Sequence, residues 1–383
     1  MTTRFLTVSV ISIAFTWTLA QAGAPTQLLL TNTEADGLPA GIKSLDLNNG
    51  AILGFLVQED FPNNGNLWPV DAMAPGPDRT ILVAQATDDK IRQYDEFGSF
   101  VGQFVSGEAV NNIRGIVRSP DGNFLFTSDW ADDNIHRFNF FTGAPAPSAG
   151  DPDGEFIIGM QSPPRLDLPQ AMAILSTGEL LVADIGQVRL IKFNATTGAV
   201  IGPFVPNPLE DINGATVRDI DVLANGDVVV TVSGSGNTVR TYSSAGALDG
   251  TRTFPFNSPN GVHVLPTGDY LVTSGSTFGQ GKGLFRVNPS NGAILQTIDN
   301  SRSYGALELI TLVDAAPSCG GMGDGDVDQN GSVDGRDVAS FVDLLVNGSG
   351  SPADPDFCAA DLDGDDDVTF LDVDPFVQAL LGS

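Results

Sequence analysis

Oxygen-bearing side chains recur at alternate positions in two segments near the carboxyl end of the chain, 326–337 and 361–372. Calcium is a hard ion that takes about six to eight oxygen ligands, so this spacing on a tight loop is typical of a calcium site. The ligand positions of the first segment are Asp326, Asp328, Asn330, the carbonyl of Ser332, Asp334 and Asp337. Those of the second segment are Asp361, Asp363, Asp365, the carbonyl of Asp367, Thr369 and Asp372. Gly331 takes the sharp turn in the first loop and Asp366 in the second, so we expect two calcium ions, the second held more weakly.

A second set of polar residues stands at equivalent positions of a repeated strand. The candidate ligand-binding residues are Arg114, Gln170, Arg218 and Asn260. Three positions further along stand Asp221, His263 and Glu308, and such a group could perform acid–base chemistry or bind a metal. The alternative is that these side chains only bond water and neighbouring turns. His136 is expected on the surface of an outer strand, and no nucleophile-elbow, zinc-protease or phosphate-loop motif occurs.

The strands that must position these residues belong to a repeat. A strand–turn–strand unit occurs five times, at 68–83, 114–126, 170–182, 218–230 and 260–272. Glycine occupies the turn in four of them, at Gly122, Gly178, Gly226 and Gly268, and a second hairpin follows most units. Four strands in about 40–50 residues are typical of a β-propeller blade.

The two ends of the repeat region predict how the ring closes. Residues 28–57 contain three strands and lack the first strand of a blade, whereas 306–312 is a single strand that follows the last full unit. We expect this late strand to complete the early blade, which gives an all-β six-bladed β-propeller. A seven-bladed ring and an open β-solenoid are the alternatives.

Over about 27–313 the repeats resemble NHL-type and related six-bladed propellers, including the gluconolactonase/regucalcin-like and streptogramin-lyase-like groups. The resemblance rests on 169–184 followed by 189–193. It implies a fold rather than an activity, because such folds host many functions. The metal ligands and catalytic residues of those groups do not match this sequence position by position.

A short helix is predicted after each acidic loop, over 337–346 and 372–381, whereas the glycine-rich segment 317–323 excludes a helix before the first loop. Apolar residues with helical spacing give each helix one face, and the two faces are expected to pack together. They are Val338, Phe341, Val342 and Leu345 in the first helix and Val373, Phe376, Val377 and Leu380 in the second.

This pair of loop–helix repeats resembles a type I dockerin over about 323–381, which implies a cohesin partner on a scaffold protein. Loop positions 10 and 11 carry much of that contact in the family, often as Ser–Thr. Here they are Gly335–Arg336 and Phe370–Leu371. The apolar pair therefore marks a different partner surface or packs on the propeller. A solvated acidic tail is the alternative for the whole region.

The amino-terminal segment 1–22 has the features of a signal peptide. Arg4 supplies a positive charge, residues 5–20 form an apolar run, and Ala20–Ala22 is a small-x-small cleavage site. An uncleaved anchor is the alternative. Bacterial export would place the two cysteines, Cys319 and Cys358, where a disulfide persists, so we expect them to pair rather than remain free thiols.

The chain is thus divided into a signal peptide (1–22), a propeller (25–315), a linker (316–323) and a small α dockerin-like calcium-binding module (324–383). Acidic residues outnumber basic ones 47 to 18, which argues against binding to nucleic acid or to an anionic membrane.

One hypothesis for the function is a secreted, non-catalytic protein whose propeller binds glycan or protein and whose module docks to a cohesin-like or other docking protein. The alternative is a carbohydrate-active hydrolase or lyase in polysaccharide catabolism.

Overall fold

The computed structural model describes fourteen stretches of the chain. They are residues 26–32, 40–58, 70–85, 89–105, 110–146, 155–159, 166–206, 216–233, 237–253, 258–275, 282–313, 323–347, 355–364 and 368–382. The predicted signal peptide, Cys319 and nearly all of the predicted linker lie outside these residues, so those predictions stay predictions.

The described strands form six antiparallel four-stranded sheets, each the blade of a propeller. Blade I contains β24 (Tyr304–Thr311), β1 (Thr26–Asn32), β2 (Gly41–Leu45) and β3 (Ile52–Gln58). Blade II contains β4 (Val70–Pro75), β5 (Thr80–Gln85), β6 (Lys90–Asp95) and β7 (Phe100–Val105). Blade III contains β8 (Ile113–Arg118), β9 (Phe124–Asp129), β10 (Asn134–Asn139) and β11 (Glu155–Ile158).

The remaining blades have the same design. Blade IV contains β12 (Pro169–Ile174), β13 (Glu179–Asp184), β14 (Arg189–Asn194) and β15 (Val200–Pro203). Blade V contains β16 (Thr216–Val222), β17 (Val228–Ser233), β18 (Thr238–Tyr242) and β19 (Leu248–Thr253). Blade VI contains β20 (Pro259–Val264), β21 (Tyr270–Ser274), β22 (Gly283–Val287) and β23 (Ile294–Asp299).

The ring closes in the way the sequence predicts. Strand β24 pairs antiparallel with β1, with Leu307 opposite Leu30 and Leu309 opposite Leu28. The first strand of every blade contacts the first strand of the next, from β4 round to β20 and β24. The six-bladed prediction is therefore confirmed, and the ring has neither seven blades nor the open form of a solenoid.

A separate apolar cluster fills each of the six interfaces between neighbouring blades. The cluster between blades VI and I, for example, joins Leu271 of β21 to Leu28 and Leu307 of blade I, all of them buried. The other five interfaces have equivalent clusters. Because one four-stranded sheet cannot cover both of its faces alone, this packing between blades is what stabilises the ring.

The carboxyl-terminal module contains three helices, α1 (Asp337–Asn347), α2 (Pro355–Ala360) and α3 (Val373–Gly382). The rings of Phe341 on α1 and Phe376 on α3 stack with 4.0 Å between centroids and 4° between planes, so the predicted packing of the two helices is observed. Helix α2 was not expected from the sequence. None of the helices in the described part of the chain is long and apolar enough to cross a membrane.

Candidate functional site

A cavity of about 200 Å³ lies among the first strands of the blades, and all six blades contribute to its lining. Every residue of the predicted polar ring lines it, as does Glu308 of β24. These lining residues are Arg114, Gln170, Arg218, Asn260 and Glu308. The structure therefore brings together residues that are up to 194 positions apart in the sequence (308 minus 114). Asp219 also lines the cavity, and the sequence analysis missed it.

Hydrogen bonds between blades fix the strands that carry the ring. A hydroxyl on the second strand of one blade donates to a carbonyl on the first strand of the next. Ser128 donates to the carbonyl of Gln170 at 2.7 Å, and Thr231 donates to the carbonyl of Asn260 at 2.6 Å. Thr273 donates in the same way to the carbonyl of Gly305 at 2.7 Å. The ring positions thus lie at the points where neighbouring blades are joined.

Asp219 could have been predicted by comparing the residue that follows the ring position in each of the six blades. In the other five blades this position holds a small residue: Ala72, Gly115, Ala171, Gly261 or Ala306. The space is tight, since a Cβ added at Gly261 would come within 2.7 Å of the Leu307 backbone nitrogen. A carboxylate in a column of alanine and glycine is therefore an exception that a column-by-column comparison of the blades would reveal.

All four ring side chains contact a neighbouring residue. With the amide oxygen and nitrogen of Gln170 assigned by their hydrogen-bond partners, its nitrogen donates to the Val217 carbonyl at 2.8 Å and its oxygen accepts from Arg218 Nη1 at 3.0 Å. Asn260 Nδ2 donates to the Tyr304 carbonyl at 3.0 Å. The guanidinium of Arg114 lies over the Trp130 ring, 5.6 Å from its centroid. These polar side chains of the ring are therefore oriented before any ligand arrives.

Ionisation of the acidic residues that line the cavity is electrostatically unfavourable. Burial, followed by the charges of Asp219 and Asp221, raises the pKa of Glu308 well above its ordinary value. Burial also raises the pKa of Asp219 to about 7, with a further contribution from Asp221, although the N–H groups of Val262 and Ile220 oppose it. Since both pKa values are raised, the protonated forms of these two carboxyl groups are favoured towards neutral pH.

The predicted catalytic group is only partly assembled. Asp221 Oδ2 lies 3.4 Å from Nδ1 of His263 and also accepts a hydrogen bond from the Val264 N–H at 3.2 Å. This pair joins blades V and VI, but neither residue is among those that line the cavity, whereas Glu308 is. No three acidic or histidine ligands of the described channel lie within 4.8 Å of one another, so the geometry gives no metal cluster there.

His136 is not a surface residue as the sequence analysis expected. It lies on β10 with 4% of its area exposed, and its Nε2 is 3.3 Å from Asp129 Oδ2. The third strand of a blade packs against neighbouring blades on both faces, which explains why a residue there is buried.

Two clusters of carboxylates lie in the carboxyl-terminal module. One contains Asp326, Asp328 and Asp337, and the other contains Asp361, Asp363 and Asp372. Within each cluster, one oxygen from each residue lies within 4.8 Å of the others. All six donors are hard oxygen atoms, so the two clusters could hold metal ions, and the donor set suits calcium.

The last carboxylate of each loop has the same partners. Asp337 accepts from the N–H groups of Asp328 at 2.9 Å and Asp334 at 2.8 Å. Asp372 accepts from the equivalent N–H groups of Asp363 at 3.0 Å and Thr369 at 2.8 Å. Burial would raise the pKa of Asp337, but these N–H groups and that of Val327 outweigh it and hold the pKa below its ordinary value.

The other predicted ligands lie in the same loops. Gly331 has φ of +89°, as the sharp turn requires, and its N–H donates to Asp326 at 2.7 Å. The Asn330 amide donates to Asp328, and Asp334 accepts from the N–H of Arg336 at 2.8 Å. Ser332 lies in the same described loop. Asp365, Asp366 and Asp367 lie outside the described residues, so the predicted weakness of the second loop stays a prediction.

The apolar pair beside the second loop is open to solvent. Phe370 is 84% exposed and Leu371 69% exposed, so no described part of the chain covers them. Of the two alternatives for this pair, packing on the propeller is not observed. Cys358 is half-buried on α2, and its predicted partner lies outside the described residues.

No family model matches the chain, and no curated protein matches it. In structure it is similar to a chain of a nidogen/laminin complex, with a TM-score of 0.56 and 11% identity over 76% of this chain and 100% of that one. A periplasmic gluconolactonase from Pseudomonas aeruginosa has a TM-score of 0.47 and 17% identity, over 76% of this chain and 100% of that one. A streptogramin B lyase has a TM-score of 0.47 and 16% identity, over 72% and 90%. At these identities the similarity concerns the propeller fold alone.

Proposed function

We propose that this chain is an exported adaptor protein. Its carboxyl-terminal module folds around two calcium ions and docks to a cohesin-like partner, while its propeller presents a ligand-binding face for glycan or protein. The observation that carries the proposal is the duplicated carboxylate cluster, because two loops with the same internal hydrogen bonds are not expected of a solvated acidic tail.

The charge of the module supports a requirement for cations. From Ser318 to Ser383 the sequence has 15 aspartates, no lysine and one arginine. Three of these aspartates, Asp337, Asp361 and Asp372, are completely buried. Buried like charges destabilise a fold unless cations or hydrogen bonds compensate them, so bound calcium would add directly to the stability of the module.

Exposed apolar residues support the docking role. Besides Phe370 and Leu371, the outward faces of α1 and α3 expose Val346 by 71% and Leu381 by 77%. Large apolar side chains exposed on a small acidic module are typical of a contact surface for another protein. Since the dockerin resemblance implies a cohesin partner, this surface is where we place the contact.

Calcium titration of the whole protein by calorimetry tests the first part of the proposal. We expect two ions per chain, and one in each of the variants Asp326→Ala and Asp361→Ala, with the tighter site lost in the former. Asp343→Ala is the matched control, because this exposed aspartate lies on α1 outside both loops. Absence of calcium-dependent heat in the unmodified chain would remove the proposal.

Binding to immobilised cohesin modules, with calcium or with chelator, tests the docking role. We expect calcium-dependent binding that Phe370→Asp and Leu371→Asp weaken by about tenfold or more, because each would place a charge in an apolar contact. Binding that persists in both variants would move the contact elsewhere on the module.

Acid–base catalysis by the propeller is a second candidate function, favoured by the Asp221–His263 pair beside the carboxyl groups of the cavity. Turnover of polysaccharide and lactone panels by the unmodified chain, with His263→Ala and Glu308→Ala as comparisons, distinguishes an enzyme from an adaptor. Turnover that both substitutions leave unchanged would exclude this site.

A further inference from the structure

Side chains of opposite charge line the channel cavity. Arg114 and Arg218 supply guanidinium groups from blades III and V, while Asp219 and Glu308 supply carboxyl groups from blades V and I. Its volume of about 200 Å³ and its charged lining suit a small polar molecule.

Burial and neighbouring carboxylates make ionisation of the two acids unfavourable. Glu308 makes no hydrogen bond with any described residue, and the interactions that shift its pKa come from burial and from two further carboxylates. Asp219 accepts from the N–H groups of Ile220 and Val262, at 2.8 and 2.7 Å, but its other neighbour is the charged Asp221. A cationic group placed between Asp219 and Glu308 would relieve this repulsion.

The interactions that shift the pKa of Glu308 and Asp219 include no arginine. Arg218 donates to Gln170, and Arg114 lies over the Trp130 ring, so each is held by another partner. Guanidinium groups oriented in this way remain suited to a carboxylate, which they bind through charge-assisted hydrogen bonds.

We propose that the channel cavity binds a small zwitterion of the free amino acid class, with its ammonium group between Asp219 and Glu308 and its carboxylate at Arg114 and Arg218. This inference rests on the proposed ligand-binding face of the propeller and names the chemistry of its ligand. It does not depend on the docking module.

A neutral sugar fits the cavity less well, because it offers no cation to the two carboxyl groups and no anion to the two guanidinium groups. Binding of a zwitterion at this site should also release protons from the protein. The charged or titratable groups concerned are Arg114 on β8, Arg218, Asp219 and Asp221 on β16, His263 on β20 and Glu308 on β24. Of these, Glu308 and Asp219 hold the protons that an ammonium group would displace.

Calorimetry on the full chain tests the inference. The probes are glycine, β-alanine, 4-aminobutyrate and the L-α-amino acids, followed by matched analogues of the best binder that lack either the amine or the carboxylate. For 4-aminobutyrate these are butyrate and butylamine. We expect both analogues to bind about tenfold or more weakly than the zwitterion, and the heat to vary with the ionisation enthalpy of the buffer.

Two substitutions and one control complete the test. Glu308→Gln keeps the shape and removes the charge, and Arg218→Met removes the opposite charge, so each should weaken binding at least tenfold. Glu179→Gln, on β13 outside the channel, should leave binding unchanged. The inference is overturned if no zwitterion binds with a Kd below about 1 mM, or if butyrate binds as well as 4-aminobutyrate. Calcium stoichiometry and cohesin binding, measured on the same samples, show separately whether the docking function holds.

Discussion

At the scale of single residues, Glu308 links the chemistry of the channel to the stability of the fold. Its pKa is raised in the folded state, so the folded protein keeps a proton that the unfolded chain loses as pH rises past about 4.5. Between those two pKa values the folded state binds more protons, and stability falls as pH rises. Above the folded pKa the ionised carboxylate destabilises the propeller by a constant amount.

Glu308→Gln should therefore stabilise the propeller at pH 8 and leave it unchanged at pH 4. We expect a Tm about 2–4 °C higher at pH 8, because the substitution removes a charge that is buried and is also repelled by Asp219 and Asp221. Thermal unfolding followed by circular dichroism across this pH range measures the effect. A gain of equal size at every pH would mean that packing rather than ionisation causes it.

The sequence predicted much of this site but not its electrostatics. Aligned strands placed Arg114, Gln170, Arg218 and Asn260 in one ring, because equivalent positions of repeated strands meet at the same level of the channel. Asp219 was not predicted, because the other five blades have alanine or glycine at the equivalent position and the position therefore does not form a polar ring. The separation of His263 from the cavity depends on side-chain directions that strand spacing does not give.

At the scale of elements, β24 decides whether the ring is closed. Leu307 and Leu309 lie on the same face of this strand, but only Leu307 belongs to the buried cluster between blades VI and I, so that Leu307 is 2% exposed and Leu309 45% exposed. Leu307→Ala should destabilise the propeller by about 2–5 kcal/mol, since it opens a cavity in the cluster between blades VI and I. Leu309→Ala, two residues along the same strand, should change stability by no more than about 0.5 kcal/mol.

Urea denaturation monitored by circular dichroism compares these two variants. Equal losses of stability in the two variants would contradict the closure of blade I by β24.

The sequence predicted this element because a blade with three strands and a strand without a blade occur at opposite ends of one repeat region. It did not predict α2, a six-residue helix whose first residue is proline and which is too short for a periodic apolar pattern.

At the scale of the whole molecule, the propeller and the module have separate cores. The cluster that contains Phe341 and Phe376 includes only residues of the module, and the six clusters of the propeller include none of them. Two cores without shared residues are expected to unfold in separate steps. An ion that binds only the folded module should then shift the transition of the module alone.

Differential scanning calorimetry of the full chain should accordingly show two transitions. A chelator should lower the Tm of the module transition or abolish that transition. It should change the Tm of the propeller transition by no more than about 1 °C, because ligand linkage acts only on the unit that binds the ion. Phe341→Ala should reproduce the effect of the chelator, since it removes one ring of the stacked pair at the centre of the module. Leu307→Ala should instead lower the Tm of the propeller transition and leave the module transition unchanged. A single transition that moves with every one of these changes would mean that the two units fold as one, and the adaptor proposal would then lose its basis in independent parts.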